Sequence, residues 1–283
     1  MDFDNHVTEG DTSLPKFEWP GGPFKFRLAF VCSSNNRKRA LRFSVGRWPR
    51  RKALVLKWGV VFLTLLTGCS PQLSVTKNDR KKDVEIVTTK GPLVIRLSDS
   101  TPLHRDNFLK LVKQHYYDSI LFHRVINQFM IQAGDPDSKR AQPGQRLGNG
   151  GPGYTIPAEI RPGLFHKKGV IAAARMGDQV NPTRASSGSQ FYLVQGKVFT
   201  EAGLDSLEQF SLRGYKIPAA HRQVYTTLGG TPHLDNNYTV FGEVVRGLAV
   251  IDSIAAVPTS GSQGGDRPLQ DVQIIKARLV KRK

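Results

Sequence analysis

One arginine inside an apolar run sets the terms for this chain. Phe122-His123-Arg124-Val125-Ile126 and Phe129-Met130-Ile131-Gln132 suit the middle of a sheet, yet Arg124 and Gln132 interrupt them. Burying a guanidinium is costly unless it is paired. A fold that keeps Arg124 here must seal it against a carboxylate or let this strand border a groove that water reaches. Successive strand residues point to opposite faces. His123 and Arg124 therefore point apart, which makes His123 a structural histidine rather than a base or ligand.

The flanking sequence predicts many short strands. Val84, Ile86 and Thr88 alternate, and Leu93 to Leu97 follow after a tight turn. Thr101-Pro102 predicts a helix start, with Thr as the cap and Pro at the first helical position. Leu103, Phe108, Leu111 and Val112 then recur at helical spacing. Further strands are predicted at Ile156–Glu159, Gly169–Arg175, Phe191–Val194, Tyr238–Val244 and Val272–Val280, with a helix at Leu248–Ala256. Residues 200–230 read as a two-helix excursion, with Leu204, Leu207 and Phe210 on one face. The glycines at 148–153 have no Gly-Lys-Ser/Thr after them, so they form a wide loop and not a phosphate cradle. Ser186-Ser187-Gly188-Ser189-Gln190 is not a nucleophile elbow. The fold class expected from these elements is mainly β: a closed antiparallel barrel with two main helices and a helical insertion near 200–230.

The first 68 residues differ in character. Arg47, Arg50, Arg51, Lys52 and Lys57 precede a short apolar run, Gly59 to Leu66, and then Thr67-Gly68-Cys69-Ser70. Positive, apolar, then small residues is the order of a secretory signal. The run is far short of the roughly 20 apolar residues that span a bilayer. Leu66-Thr67-Gly68-Cys69 resembles the lipobox of bacterial lipoproteins, which makes Cys69 the expected lipidation site. A signal this far into the chain implies a true start near Val45 or Val55. The expected domains are therefore 1–68 (mis-assigned start plus signal), 69–82 (lipidated cysteine and flexible tether) and 83–283 (the folded domain). The net charge of +18 is spread along the chain. Residues 1–69 carry 12 Lys and Arg against 5 Asp and Glu, and the remainder 29 against 18. No basic helix or aromatic-interleaved basic stripe appears, so nucleic acid is not an expected partner. Two cysteines in unlike contexts make no disulfide framework.

Four separated pieces carry a resemblance. They are Phe122-His123-Arg124 with Phe129 to Gln132; Ala173-Ala174-Arg175; Gly188-Ser189-Gln190-Phe191-Tyr192; and His233-Leu234-Asp235 through Tyr238 to Gly242. In this order they resemble the cyclophilin family of peptidyl-prolyl cis-trans isomerases, from about Val84 to Val280. The resemblance implies a closed eight-stranded antiparallel barrel capped by two helices, one at each end, catalysis by Arg124, and a proline pocket of Phe129, Met130, Tyr192, Leu234 and Tyr238. Gln132, Gln190 and the backbone around Ala174 and Arg175 would hold the substrate main chain. Neither metal nor other cofactor is implied.

The implied partners are proline-containing polypeptides and, through Cys69, a membrane. The chain is expected to be a monomer in the bacterial cell envelope, facing the periplasm or the exterior. A peptide-binding chaperone with little turnover is the competing reading. Three positions depart from the family pattern. Tyr192 stands where Phe is usual, Tyr238 where many members have His, and His233 where the most cyclosporin-sensitive members have Trp.

Overall fold

Alternating buried and open positions build the sheet. The computed structural model describes residues 74–283. The expected start, signal and lipidated Cys69 lie outside the described residues. Lys82–Thr88 (β1) and Gly91–Leu97 (β2) form an antiparallel hairpin that sends Val84, Ile86, Leu93 and Ile95 into the core. Its turn is fixed by Thr88, whose hydroxyl donates to the Gly91 carbonyl at 2.7 Å and accepts from the Lys90 amide at 3.0 Å.

The remaining strands are Arg124–Ile126 (β3), Met130–Ala133 (β4), Thr155–Ile156 (β5), Val170–Ala173 (β6), Ser186–Ser187 (β7), Phe191–Val194 (β8), Val240–Arg246 (β9) and Ile274–Lys281 (β10). The main sheet runs β10-β1-β2-β9-β6-β8-β4-β3, and β5 pairs with β7 apart from it. Every pair is antiparallel. Between β3 and β10 there is no ladder. The edges meet instead through Ser119 donating to Ile274, Phe122 to Val272 and Val125 to Asp266, at 2.8 to 2.9 Å, and through an isolated bridge between Leu121 and Gln273. The closed barrel expected from the sequence is therefore an eight-stranded sheet whose edges are joined by loop hydrogen bonds.

Two helices cover the sheet. Pro102–Lys113 (α1) packs on β9 and β10, and Leu248–Ala255 (α4) packs on β2, β3 and β4. Phe108 of α1 sits 4.9 Å from Tyr117 and edge-on to Phe191 at 5.4 Å, at favourable aromatic distances. Among the described residues no helix is long and apolar enough to cross a membrane.

Four expectations need correction. Thr101 is the N-cap of α1 by position, but its side chain makes no cap hydrogen bond. Glu159 does that work from a distant loop, accepting from the Leu103 amide at 3.2 Å and the His104 amide at 3.0 Å. Glu159 is accordingly outside β5, which ends at Ile156. Residues 74–82, expected to be a free tether, are docked. Val75 packs against the core, and buried Asp79 pairs with Lys113 of α1 at 2.8 Å. The insertion does form two helices, Glu201–Phe210 (α2) and Ala219–Thr227 (α3), around a small core of Leu204, Ile217 and Tyr225. Phe210, however, is 76% exposed because α2 ends there and no neighbour covers it.

Glu159 also accepts from His104 Nδ1–H at 2.7 Å, while the Ser186 hydroxyl donates to His104 Nε2 at 2.9 Å. Serine, histidine and glutamate in this order have the connectivity of a hydrolytic triad. All three are buried, so no substrate reaches them. Burial pushes the His104 imidazole below its ordinary value against the pull of Glu159, so it stays neutral. The trio binds α1 to the β5–β7 side of the molecule. Glu159→Ala strands two buried donors on His104 and the partly buried Leu103 amide, and is expected to destabilise the domain by about 3 kcal/mol, read as a fall in urea midpoint. Ser186→Ala removes one weaker bond and is expected to cost about 1 kcal/mol in the same measurement.

Candidate functional site

The register across four strands assembles a polar-edged groove. Arg124 pairs with Gln132, Gln132 with Tyr192, and Tyr192 with Ala172. Directly opposed residues share a face of the sheet, so Arg124, Gln132 and Tyr192 stand in one row. Their neighbours one position along, Val125, Ile131, Leu193 and Ile171, enter the core. The same period sends Phe191 inward and Tyr192 outward. On the outer face Met130, Tyr192 and Val240 form a second cluster, with Phe129, Leu234 and Tyr238 packed against it.

This cluster floors a groove of about 310 Å³. Arg124, Phe129, Met130, Gln132, Ala174, Arg175, Tyr192, Leu234 and Tyr238 all line it. Gln190 does not. It lines an adjoining cavity of about 820 Å³ that shares Gln132, Ala174 and Arg175 with the first.

Arg124 keeps 41% of its side chain exposed. Its Nε lies 3.4 Å from Asp266 Oδ2, on the loop that closes the seam beside β3. Asp266 flanks the guanidinium without sealing it, so of the two ways to keep Arg124 the fold takes the groove that water reaches. Among the described residues its two Nη atoms have no hydrogen-bond partner.

Several expected contacts to substrate are already engaged within the protein. Gln190 Nε2 donates to the carbonyls of Gly148 and Gly150, each at 2.8 Å, and its Oε1 accepts from Gln132 at 3.0 Å. It therefore pins the glycine loop and orients Gln132, whose Oε1 stays free. Gly134 makes room for this arrangement. Its φ of +103° suits glycine, and any Cβ there would collide with the Ser189 backbone. The Ala174 amide donates to Gln190 and its carbonyl accepts from Ser187, at 3.0 and 2.8 Å, so neither is available. The Arg175 side chain packs over the Tyr238 ring at 4.6 Å and donates to the Asn237 carbonyl at 2.8 Å. It supports the wall and does not reach across it. Phe129 stacks on His233 at 5.4 Å.

Tyr192 is 4% exposed, and its phenol turns away from the groove toward His166 Nε2 at 3.0 Å. Only the ring faces the cavity. His166 and Asp266 were not expected from the sequence. A tyrosine at a buried strand position needs a partner for its hydroxyl, which is the signal that would have pointed to a nearby histidine or acid. His123 borders the groove from beneath, buried, and neither ring nitrogen has a partner among the described residues. Burial pushes its imidazole down to about 4, against the attraction of Asp135 and with the repulsion of Arg124. Near neutral pH it is uncharged, with one ring N–H, and is not poised as a general acid.

The groove thus offers the open Arg124 guanidinium, the free amide oxygen of Gln132 and an apolar floor. No carboxylate, thiol or serine hydroxyl lines it. Among the described residues no three His, Cys, Asp or Glu gather as a metal site. Such a surface suits an apolar ring carrying a neutral, hydrogen-bonding backbone.

Comparison with known proteins agrees with this geometry. The family model of cyclophilin type peptidyl-prolyl cis-trans isomerases matches residues 83–279. A Staphylococcus haemolyticus protein named as a candidate peptidyl-prolyl cis-trans isomerase is 36% identical over 208 residues, covering 72% of this chain and 94% of the relative. A Streptococcus pyogenes protein, named as a candidate bifunctional phosphatase and peptidyl-prolyl cis-trans isomerase, is 37% identical over 210 residues. That match covers 72% of this chain but only 40% of the streptococcal protein. Among solved structures, a Cryptosporidium parvum cyclophilin aligns with TM-score 0.52 at 22% identity, over 71% of this chain and 99% of that one. This second kind of likeness speaks to the fold alone.

The buried histidine under the groove gives a pH dependence. His123 binds a proton less readily folded than unfolded, so its contribution to stability is complete above about pH 6.5 and fades as pH falls toward 4. The loss is expected to be on the order of 3 kcal/mol. Urea unfolding at pH 7 and pH 4 measures it. His123→Phe is expected to flatten that slope, leaving the smaller share from His104.

Proposed function

The chain belongs to the cyclophilin-type peptidyl-prolyl cis-trans isomerases, and on that premise we propose that Arg124 is its catalytic residue. A peptide bond resists rotation because the nitrogen lone pair is delocalised into the carbonyl, with a barrier of about 18–20 kcal/mol. At X-Pro bonds the two ground states are close in energy, so the barrier is the whole obstacle. The task is to favour the twisted state, in which the prolyl nitrogen is pyramidal and holds its lone pair. A guanidinium donates a hydrogen bond to that lone pair and cannot lose its proton.

The observation that carries this reading is the row Arg124, Gln132, Tyr192, with the Arg124 Nη atoms free beside an apolar floor. The proline ring occupies the space between Phe129, Met130, Tyr192, Leu234 and Tyr238. Arg124 donates to the prolyl nitrogen, and Gln132 Oε1 accepts from a substrate amide. The Arg175 main chain, whose amide and carbonyl have no partner among the described residues, lies beside the extended peptide. A cyclophilin of this fold has been solved in the presence of the dipeptide Ala-Pro, a ligand of the size this groove would take. A turnover of ~10³ per second over an uncatalysed ~10⁻² per second requires roughly 7 kcal/mol. One preorganised donor supplies about 2.7–4 kcal/mol. Preferential binding of the twisted bond supplies the rest.

The biological setting we propose is the cell envelope. Cys69 would be lipidated, and the domain held at the membrane would assist exported proteins as they fold. The lipobox order at Leu66 to Cys69 supports this. The docking of residues 74–82 shortens the free tether and brings the domain closer to its anchor.

Arg124→Ala is expected to lower kcat/KM by about 10²–10³ in a protease-coupled isomerisation assay while peptide binding changes little. Turnover equal to the unchanged protein would show that Arg124 is not the donor. His233, in place of Trp, stacks on Phe129 and offers no indole N–H in its place, so cyclosporin is expected to inhibit only weakly. Inhibition at nanomolar concentration would contradict this. For the envelope setting, the intact mass of the native protein is expected to show a diacylated cysteine at its N-terminus. Peptides from Met1–Arg39 would contradict it.

A further inference from the structure

The phenol of Tyr192 does not stop at His166. With the Tyr192 hydroxyl donating to His166 Nε2, the Nδ1–H of the same ring donates to Asp235 Oδ1 at 2.9 Å. The His166 amide donates to the same oxygen at 2.8 Å. The other oxygen, Oδ2, accepts from the Tyr225 hydroxyl at 2.7 Å. All the donors point toward one carboxylate, so each bond strengthens its neighbours. Tyr225 belongs to α3, inside the two-helix insertion. Tyr192 floors the groove. His166 and Tyr225 are fully buried and Asp235 is half-buried between them, so these bonds lie largely out of reach of water.

Two further features tie the insertion to this chain of bonds. Phe165 enters the insertion core, stacked on His221 at 3.8 Å and edge-on to Tyr225 at 5.5 Å, while the next residue, His166, turns toward the groove. The backbone leaving α3 then runs directly against His166. Thr231 donates to the His166 carbonyl at 2.8 Å, and a Cβ at Gly230 would strike that same carbonyl. Asp235 adjoins Leu234, another wall of the groove.

We propose that the insertion is a working part of the isomerase, in which Tyr225 is a positioning residue that acts through Asp235 and His166 to fix Tyr192. This rests on the reading of Tyr192 as part of the proline pocket. A tyrosine in that place brings a hydroxyl into an apolar floor. Left unpartnered, it would turn toward the groove or hold water there, and the ring would lose its set against the proline. The insertion supplies the far anchor that keeps the hydroxyl behind the wall. No insertion residue lines the groove itself, so its influence on catalysis has to travel through these bonds.

The test is a double-mutant cycle on the full chain, assayed with an Ala-Pro test peptide and accompanied by urea unfolding. Tyr225→Phe removes one oxygen and keeps the ring in the insertion core. It is expected to lower kcat/KM roughly fivefold, the worth of one net hydrogen bond. In a Tyr192→Phe background, where the connection is already cut, the same change is expected to lower kcat/KM by less than about twofold. A full fivefold loss in that background would show that the effect bypasses Tyr192 and would overturn the proposal. So would a fall in urea midpoint with kcat/KM unchanged, since that marks a purely structural bond. Arg124→Ala runs alongside to separate the two readings. If it abolishes turnover while Tyr225→Phe is silent, only this inference fails. If it keeps full turnover, the site assignment fails and this inference with it.

Discussion

Strand alternation lets a cation and an apolar core share one short segment. Arg124 and Val125 are adjacent, yet one borders the groove and the other is buried in the core. The antiparallel register repeats that division through β4, β8 and β6, so a single row of paired residues becomes the groove floor. A slip of one residue in any of these strands would turn that strand's groove residue into the barrel and its core residue outward, and the row would be broken. The glycine at 134 and the Gln190 bonds to the 148–150 loop hold that register at the end of β4, where the strand is too short to hold itself. The chemistry of the site is therefore a property of the pairing as much as of any side chain.

The seam of the barrel has the same dependence. β3 has no ladder to β10, and the loop that bridges the gap brings Asp266 in twice. Its carbonyl accepts from Val125 and its carboxylate faces the Nε of Arg124. One residue thus closes the sheet and steadies the guanidinium. The exposure that Arg124 retains avoids the cost of burying an ion pair. It also leaves the terminal nitrogens directed at the open groove.

Local patterns in the sequence survive into the structure where they depend on neighbours a few residues away. The β1–β2 hairpin, the α1 face with Phe108, Leu111 and Val112, and the Phe191–Val194 strand are all of this kind. What could not be read depends on partners far along the chain. Thr101 has the right chemistry and position for a cap, but Glu159 already occupies the amides it would take. Phe210 keeps the helical spacing of Leu204 and Leu207 yet lies bare, because periodicity says nothing about where a helix ends. Of the site, the groove-lining residues were legible because four motifs carry them. The engagement of Gln190 and of the Ala174 backbone was not, because a motif names residues without saying which of their polar atoms are already spent.

The departure of Tyr192 from the usual phenylalanine shows how a polar atom constrains a wider region than its own contacts. A phenol buried in a sheet must be satisfied or it destabilises the fold. Satisfying it with a histidine passes the requirement on, since the imidazole then needs an acceptor at its other nitrogen. Asp235 meets that need and, as a half-buried carboxylate, draws donors of its own. The His166 amide and Tyr225 hydroxyl provide them. One added oxygen at the groove floor thus accounts for a histidine, an acid and a second tyrosine in an insertion that never touches the groove. Burial pushes the phenols of Tyr192 and Tyr225 well above their ordinary range, so both keep the hydroxyl hydrogen that this chain of bonds uses. A phenylalanine at 192 would need none of this, and a shorter loop would then serve in place of α2 and α3.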